Sequence, residues 1–194
     1  MRQLTMQDLV PNQEYELVRP EFRRRIIQLK KMRRVLIGPR VSLVFENTET
    51  MKFQVQEMMR IEHIEDLEKI HEEILVYNDL LPRGMAIGAT LLIELTQSDN
   101  MPEILRELSG IEEHVRLVVG DRAVAAIAEA GRSTEEKTSS VHYLTFVFTP
   151  EDRTALMEHV DRVSIAIEHP GYSYTVAVPQ ETVTLLVRDL ASME

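Results

Sequence analysis

The chain has 194 residues, a net charge of −10 and no cysteine, and these totals exclude several classes of protein. Without cysteine there are no disulfides, zinc ribbons, iron–sulfur clusters or thiol nucleophiles. The length predicts one domain with a core that needs no covalent staples. The N-terminal sequence has no apolar signal core, and no apolar run is long enough to cross a bilayer. We therefore expect a soluble cytoplasmic protein that does not bind membranes.

Positive charge is concentrated in one short segment. Residues 23–34 hold seven basic side chains and no acidic one. With those seven charges set aside, the rest of the chain carries −17, which would repel a nucleic-acid backbone. We therefore expect no nucleic-acid binding. The basic segment has three interpretations: it pairs with the protein's own carboxylates, it docks an acidic partner or phosphate, or it is solvated.

Hydrophobic periodicity predicts a lead-in segment and then a helix–strand–helix–helix unit over residues 19–80. Val41, Leu43 and Phe45 share one face of a strand, and Pro20 suits the first position of a helix. Thr48 or Thr50 is expected to cap the helix after that strand. The predicted elements are a lead-in at 1–18 with a short helix at 6–10, a helix at 21–33, a short edge strand before Gly38, a strand at 40–46, and helices at 51–63 and 64–80.

The rest of the chain alternates short strands with helices, and we expect it to form the main sheet over residues 85–178. The strands are predicted at 85–96, 115–119, 123–128, 140–148, 163–167 and 172–178, the helices at 99–108 and 151–160, and a C-terminal helix at 179–192. Several connections are too short for a parallel crossover. The sequence therefore predicts a single α+β domain, with a mainly antiparallel sheet of six or seven short strands and about five helices packed on it.

One group of polar residues is a candidate ligand site. His142 alternates with Leu144 and Phe146, so we expect it to point inward, where a histidine usually has a structural hydrogen-bond partner. Two polar segments, 131–142 and 168–172, are expected to meet at one end of the sheet and to hold an anion or a carboxylate there. The predicted ligand-binding residues are Arg132, Lys137, His142, His169 and Tyr172. A purely structural polar cluster is the alternative.

A metal site is a weaker alternative. Glu68 and His71 have the helical spacing that gives two ligands to one ion, and His63 would supply a third, with Glu57 as a further candidate. The other interpretation is a solvated acidic helix face, and we favour it, so no metal is expected.

Two further carboxylates, Glu46 and Glu94, fall on the less apolar faces of strands, where Arg19, Arg23 or Arg60 could pair with them. The chain has no P-loop, nucleophile elbow, dinucleotide fingerprint or HExxH motif. Catalytic residues and cofactors therefore stay unassigned, and the sequence leaves open whether the protein is an enzyme.

Several short blocks of sequence occur together in a fixed order. The blocks are Arg19 to Arg25 (RPEFRRR), Phe45 to Asn47 (FEN), Gln54 to Met58 (QVQEM), Tyr77-Asn78, Arg132 to Ser139 (RSTEEKTS), Val141-His142 and His169-Pro170. In this order they resemble a bacterial family known as domain of unknown function 3501. The resemblance covers nearly the whole chain and implies a stand-alone cytoplasmic protein. It also implies association with rubrerythrin-like proteins and flavin or iron–sulfur oxidoreductases. It assigns no catalytic residue.

Two functional hypotheses follow. The first is an accessory or interaction protein of a redox or peroxide-stress system. It would dock an oxidoreductase, or a second copy in a homodimer, through the basic helix at 23–34 or the acidic helix at 64–80, and it requires exposed apolar residues beside those charges. The second is a binding protein or an enzyme that holds a small ligand, an anion or a metal in the polar cluster. We favour the first hypothesis slightly, because no motif in the chain indicates a chemical reaction.

Overall fold

Six α-helices and eight strands form along the chain in a computed structural model that describes residues 2–81, 84–97, 99–129, 131, 133 and 138–191. The helices are α1 Asn12–Met32, α2 Thr48–Ile61, α3 Leu67–Asp79, α4 Met101–Glu107, α5 Pro150–Glu158 and α6 Gln180–Ala191. Short 3-10 turns lie at Met6–Asp8 and Ile111–His114. None of the described helices combines the length and apolar character needed to cross a membrane.

All eight strands belong to one antiparallel sheet in the order β1-β2-β3-β6-β5-β4-β7-β8. The strands are β1 Arg34–Ile37, β2 Val41–Phe45, β3 Ala86–Ile93, β4 Val115–Val119, β5 Arg122–Ala128, β6 Val141–Val147, β7 Val163–His169 and β8 Tyr172–Ala177. The odd-numbered strands all begin at one end of the sheet, which we call the helical end, and finish at the other, the loop end.

The sheet curves until its two edge strands meet and form a nearly closed barrel. The Tyr172 hydroxyl of β8 donates a hydrogen bond to the Ile37 carbonyl of β1 at 2.6 Å and accepts one from the Arg40 amide at 3.0 Å. Gly38 lies in the turn between β1 and β2 with φ +67°, and a Cβ there would be 2.7 Å from the Tyr172 oxygen. Glycine is therefore required both by the backbone conformation and by the close approach of β8.

Alternate residues of the strands fill the barrel interior with apolar side chains. Leu43, Leu91, Leu117 and Ile165 are fully buried in one continuous core. This is the pattern expected when each strand turns one face inward. The barrel thus has a packed interior, and polar chemistry is confined to its ends and its outer surface.

The helical end is closed by α5 and α6. Val183, Leu186 and Leu190 of α6 join the barrel core. The guanidinium of Arg33, the residue just before β1, donates to Asp189 of α6 at 2.6 Å, and Arg33 has no exposed surface. This buried ion pair joins the N-terminal half of the fold to its last helix.

An outer helical layer covers β2 and β3 and has its own small core. Met51, Val55 and Met59 of α2 pack with Ile70 and Ile74 of α3. The helix α1 packs beside α2, and α2 packs beside α3. The structure therefore has two hydrophobic cores, one inside the barrel and one between the helices.

The expected α+β class and antiparallel sheet are confirmed, but several boundaries differ. The sheet has eight strands instead of six or seven, and the short edge strand expected before Gly38 pairs along its full length with β2, as Arg34–Ile37. The lead-in expected at 1–18 is wrong in its second half, because α1 begins at Asn12 and continues through Pro20. Buried Tyr15 anchors the first turn of α1, which offsets the hydrogen bond that proline cannot donate.

The cap of α2 also differs from the expected one. Asn47, and not a threonine, is the N-cap: its side chain accepts from the Thr50 amide at 3.0 Å. In return, the backbone amide of Asn47 donates a hydrogen bond to the Thr50 hydroxyl at 2.9 Å. The reciprocal pair has the geometry of a capping box, with threonine in the position usually held by an acidic residue.

We expect Asp189→Ala to lower the free energy of unfolding by about 3–5 kcal/mol, because Arg33 would be left charged, buried and without its carboxylate. Urea denaturation measures this. Arg188→Ala, at the exposed neighbouring position, is the control and should change stability by less than about 0.5 kcal/mol. The double variant Arg33→Met/Asp189→Leu should be more stable than Asp189→Ala; equal losses would contradict the role given to the ion pair.

Candidate functional site

His142 lies at the loop end of β6, paired with Leu91 of β3, and is fully buried as expected. Its Nε2 is 2.8 Å from both the Thr138 hydroxyl and the Ser139 carbonyl. Because a carbonyl only accepts, Nε2 must carry a proton to bond it. The other ring nitrogen, Nδ1, is 3.7 Å from a carboxylate oxygen of Glu112, which is also buried. The buried imidazole thus faces a carboxylate on one side and backbone on the other.

His169 lies at the same end of the barrel, but its ring serves the β7–β8 turn. The Gly171 amide donates to Nδ1 at 3.1 Å, so Nδ1 is unprotonated, and Nε2 is 3.0 Å from the Ser109 carbonyl, to which it donates. The His114 ring packs edge-on at 5.2 Å. Both ring nitrogens therefore hold backbone groups, and the neutral tautomer is the one that fits.

Tyr172 is similarly occupied by the hydrogen bonds that close the barrel, and burial raises the pKa of its hydroxyl. Arg132 and Lys137 lie outside the described residues. His142, His169 and Tyr172 thus share the loop end, but each has its own set of partners. A single ligand-binding cluster of all five residues stays a prediction.

The structure gives no support to the metal alternative. His63 follows α2 with φ +52°, while Glu68 and His71 lie on the exposed side of α3. In the part of the chain that the structure describes, no three side chains of metal-binding type converge. The fourth candidate, Glu57, already has other partners.

Glu57 of α2 is the centre of a polar cluster between α1 and α2. The Arg19 guanidinium donates to both carboxylate oxygens of Glu57, at 2.7 and 2.9 Å. The Tyr15 hydroxyl donates to the same carboxylate at 2.8 Å, and the Arg60 guanidinium donates to it at 3.3 Å. The Arg19 hydrogen bonds lower the pKa of Glu57 to about 2, against the opposing effect of burial. The cluster satisfies Glu57 fully and fixes the register of the two helices.

Glu46 is a buried carboxylate whose surroundings the sequence did not predict. The Thr90 hydroxyl donates to its Oε1 at 2.7 Å, and the Lys30 ammonium is 3.8 Å from the same oxygen. The expected arginine partners do not reach it, and Glu94 pairs instead with Arg34 and Ser42. The second oxygen of Glu46, Oε2, is buried without a hydrogen-bond partner among the described residues.

A cavity of about 350 Å³ lies between the outer face of the barrel and the helices α2 and α3, with Glu46 in its wall. Tyr143, Thr145 and Ile127 line the barrel side, and Met51 and Asp79 line the helical side. The one sequence signal for this site was a carboxylate directly after an entirely buried apolar strand, VSLVF. That signal shows burial but cannot show that β5 and β6 come to face the same helices.

Two helix faces carry exposed apolar residues beside unpaired charges. On α1, Leu17 is 83% exposed, and Val18 and Ile27 are also exposed. Four of the seven basic residues at 23–34 have a carboxylate partner, but Arg23, Arg24 and Lys31 have none within the described residues. On α3, Leu67 and Leu75 are exposed beside Glu68 and Glu72. We call these the basic face of α1 and the acidic face of α3.

The fold and these features define a nearly closed α+β barrel with an outer helical layer. Residues 3–190 match the family described as "Protein of unknown function (DUF3501)", and the chain belongs to that family. It is similar to a crystal structure of a protein of unknown function from Burkholderia pseudomallei K96243 at 1.90 Å resolution. That protein is 35% identical with a TM-score of 0.89, over 97% of this chain and 100% of the other. The comparison with curated proteins finds no match.

We expect Glu57→Gln to remove a contribution to stability that depends on pH. Because the pKa of Glu57 in the folded protein is about 2, below its usual 4.5, the ionised side chain stabilises the fold above pH 4.5. The advantage of the wild type, about 1–2 kcal/mol for a partly solvated pair, should be lost as the pH falls from 4.5 towards 2. Urea denaturation between pH 2.5 and 7 measures it; exposed Glu65→Gln is the control. A difference that does not change with pH would contradict this assignment.

Proposed function

We propose that this protein is an accessory protein that acts by binding proteins, and that the basic face of α1 is its docking surface. The observation that carries this proposal is the exposure of α1. This helix has 21 residues, all of them described, and Tyr15 and Ile26 are its two buried side chains. Because α1 contributes so few side chains to the core, we infer that its exposed surface binds a partner.

The chemistry of the basic face indicates what kind of protein surface can bind to it. One side of α1 carries two apolar residues, Leu17 and Ile27, and two basic residues, Arg24 and Lys31. They share this side because successive positions are seven, three and four residues apart, which is helical spacing. The matching surface must supply carboxylates and apolar side chains at helical spacing. The acidic face of α3 has this composition, with Leu67 and Leu75 beside Glu68 and Glu72.

We therefore propose that the occupant is a second copy of this chain. The two faces belong to the same outer layer, on either side of α2. In a twofold-symmetric dimer, α1 of each copy would meet α3 of the other, so the complementary contact would form twice. The apolar residues would supply affinity, and the charges would supply orientation and a dependence on salt.

The second hypothesis, ligand binding at the loop end, has one supporting observation, the buried pair of His142 and Glu112. It stays a prediction, because His169 and Tyr172 are engaged with backbone groups.

We expect a dimer at low salt that weakens at least tenfold between 50 and 500 mM NaCl, measured by sedimentation velocity. Arg24→Glu/Lys31→Glu should give a monomer, and so should Glu68→Lys/Glu72→Lys. Combining all four substitutions should restore the dimer, because both faces then change sign together. Met157→Glu, at an exposed apolar position of α5, is the control. A monomer at every concentration and salt, or variants that leave the dimer unchanged, would overturn the proposal.

The association with a redox or peroxide-stress system rests on the resemblance and is part of this proposal as an expectation. A purified rubrerythrin-like or flavin oxidoreductase, mixed with this protein at low salt, should sediment with it as a complex. If none of these oxidoreductases is retained, the redox association is wrong while the self-association stands or falls separately.

A further inference from the structure

We propose that the cavity beside Glu46 is a binding site for a small organic ammonium ion. The site is separate from both docking faces, since it lies between the barrel wall and the inner sides of α2 and α3. Its volume of about 350 Å³ falls within the range of small-molecule pockets.

Glu46 supplies the recognition of charge. Its side chain is 3% exposed, and the Thr90 hydroxyl and the Lys30 ammonium both approach Oε1, leaving Oε2 as a buried acceptor with no donor among the described residues. Leaving a buried carboxylate oxygen without a hydrogen bond costs more free energy than leaving a neutral group so. Glu46 also lines the cavity, so a positively charged N–H donor bound there would remove that cost once the carboxylate turns Oε2 towards it.

The other polar groups of the cavity agree with a cation. Asp79 and Glu129 add carboxylates, and none of the described residues that line the cavity is basic. Tyr143 and Thr145 also line the cavity, and a hydroxyl is a group that can accept hydrogen bonds. Carboxylates in the wall disfavour an anionic ligand, although the Lys30 ammonium lies 3.8 Å from Oε1 of Glu46.

The walls favour an organic cation over a metal ion. Met51, Leu80 and Ile127 contribute apolar surface, which suits a hydrocarbon body attached to the charged group. Divalent cations need several oxygen ligands at about 2.0–2.6 Å. No three metal-binding side chains converge in the described ranges of the chain, so the carboxylates of this cavity are too dispersed to surround one ion.

The test uses n-hexylammonium as the probe and 1-hexanol as its neutral counterpart, with isothermal titration calorimetry on the full chain at constant ionic strength. We expect saturable binding of the ammonium ion and at least tenfold weaker binding of the alcohol. Glu46→Gln keeps the shape of the side chain and removes its charge, so it should weaken ammonium binding at least tenfold. Glu158→Gln, which removes an exposed carboxylate on α5, should leave binding unchanged.

A second variant keeps the proposal falsifiable if Glu46→Gln does not fold. Ile127 is 60% exposed and lines the cavity, so Ile127→Trp should narrow the site without loss of charge or stability and should weaken binding severalfold. Three results would overturn the proposal: no saturable binding at millimolar probe, equal binding of ammonium and alcohol, or displacement of the probe by Mg²⁺ beyond the effect of NaCl at the same ionic strength.

Discussion

Closure of the sheet is the constraint on which the rest of this structure depends. Once β1 approaches β8, the inner faces of all eight strands share a single enclosed volume, which must be filled at native density. The bridge made by the Tyr172 hydroxyl, and the absence of a side chain at Gly38, allow the two edges to come this close. The contact between β1 and β8 also covers part of each edge strand, which limits pairing with other chains.

A filled interior determines where polar groups can lie. Leu43, Leu91 and their neighbours fill the interior of the barrel with buried apolar side chains. Buried ionisable side chains are accordingly found at the two ends, as Arg33 with Asp189 and His142 with Glu112. The Glu46 cavity exists because the helices pack on the outside of the wall, where strand and helix surfaces do not match perfectly.

The outer helical layer explains how one protein can have two different kinds of candidate site. The inner sides of α2 and α3 face the barrel and line the cavity, whereas the outer sides of α1 and α3 face solvent. A small ligand and a second copy of the chain would therefore bind to opposite sides of the same layer. The two proposals are therefore compatible with each other.

Local patterns in the sequence determined the elements and the fold class. The alternation of apolar residues was enough to place β6 and the strands at 115–119 and 123–128, because it depends on neighbours within a few residues. The same reasoning misplaced the start of α1, because what carries that helix through Pro20 is a contact of Tyr15 and Arg19 with the distant Glu57.

Tertiary structure alone decided the strand order, the closure of the barrel and the partners of each charge. Whether Lys30 meets Glu46 or remains solvated, and whether Glu46 faces a cavity, depends on segments that are far apart in the chain and become neighbours on folding. A single sequence records the chemistry of each side chain and the spacing of the apolar residues around it. It does not record which surfaces are brought face to face, because that outcome is a property of the whole packed chain.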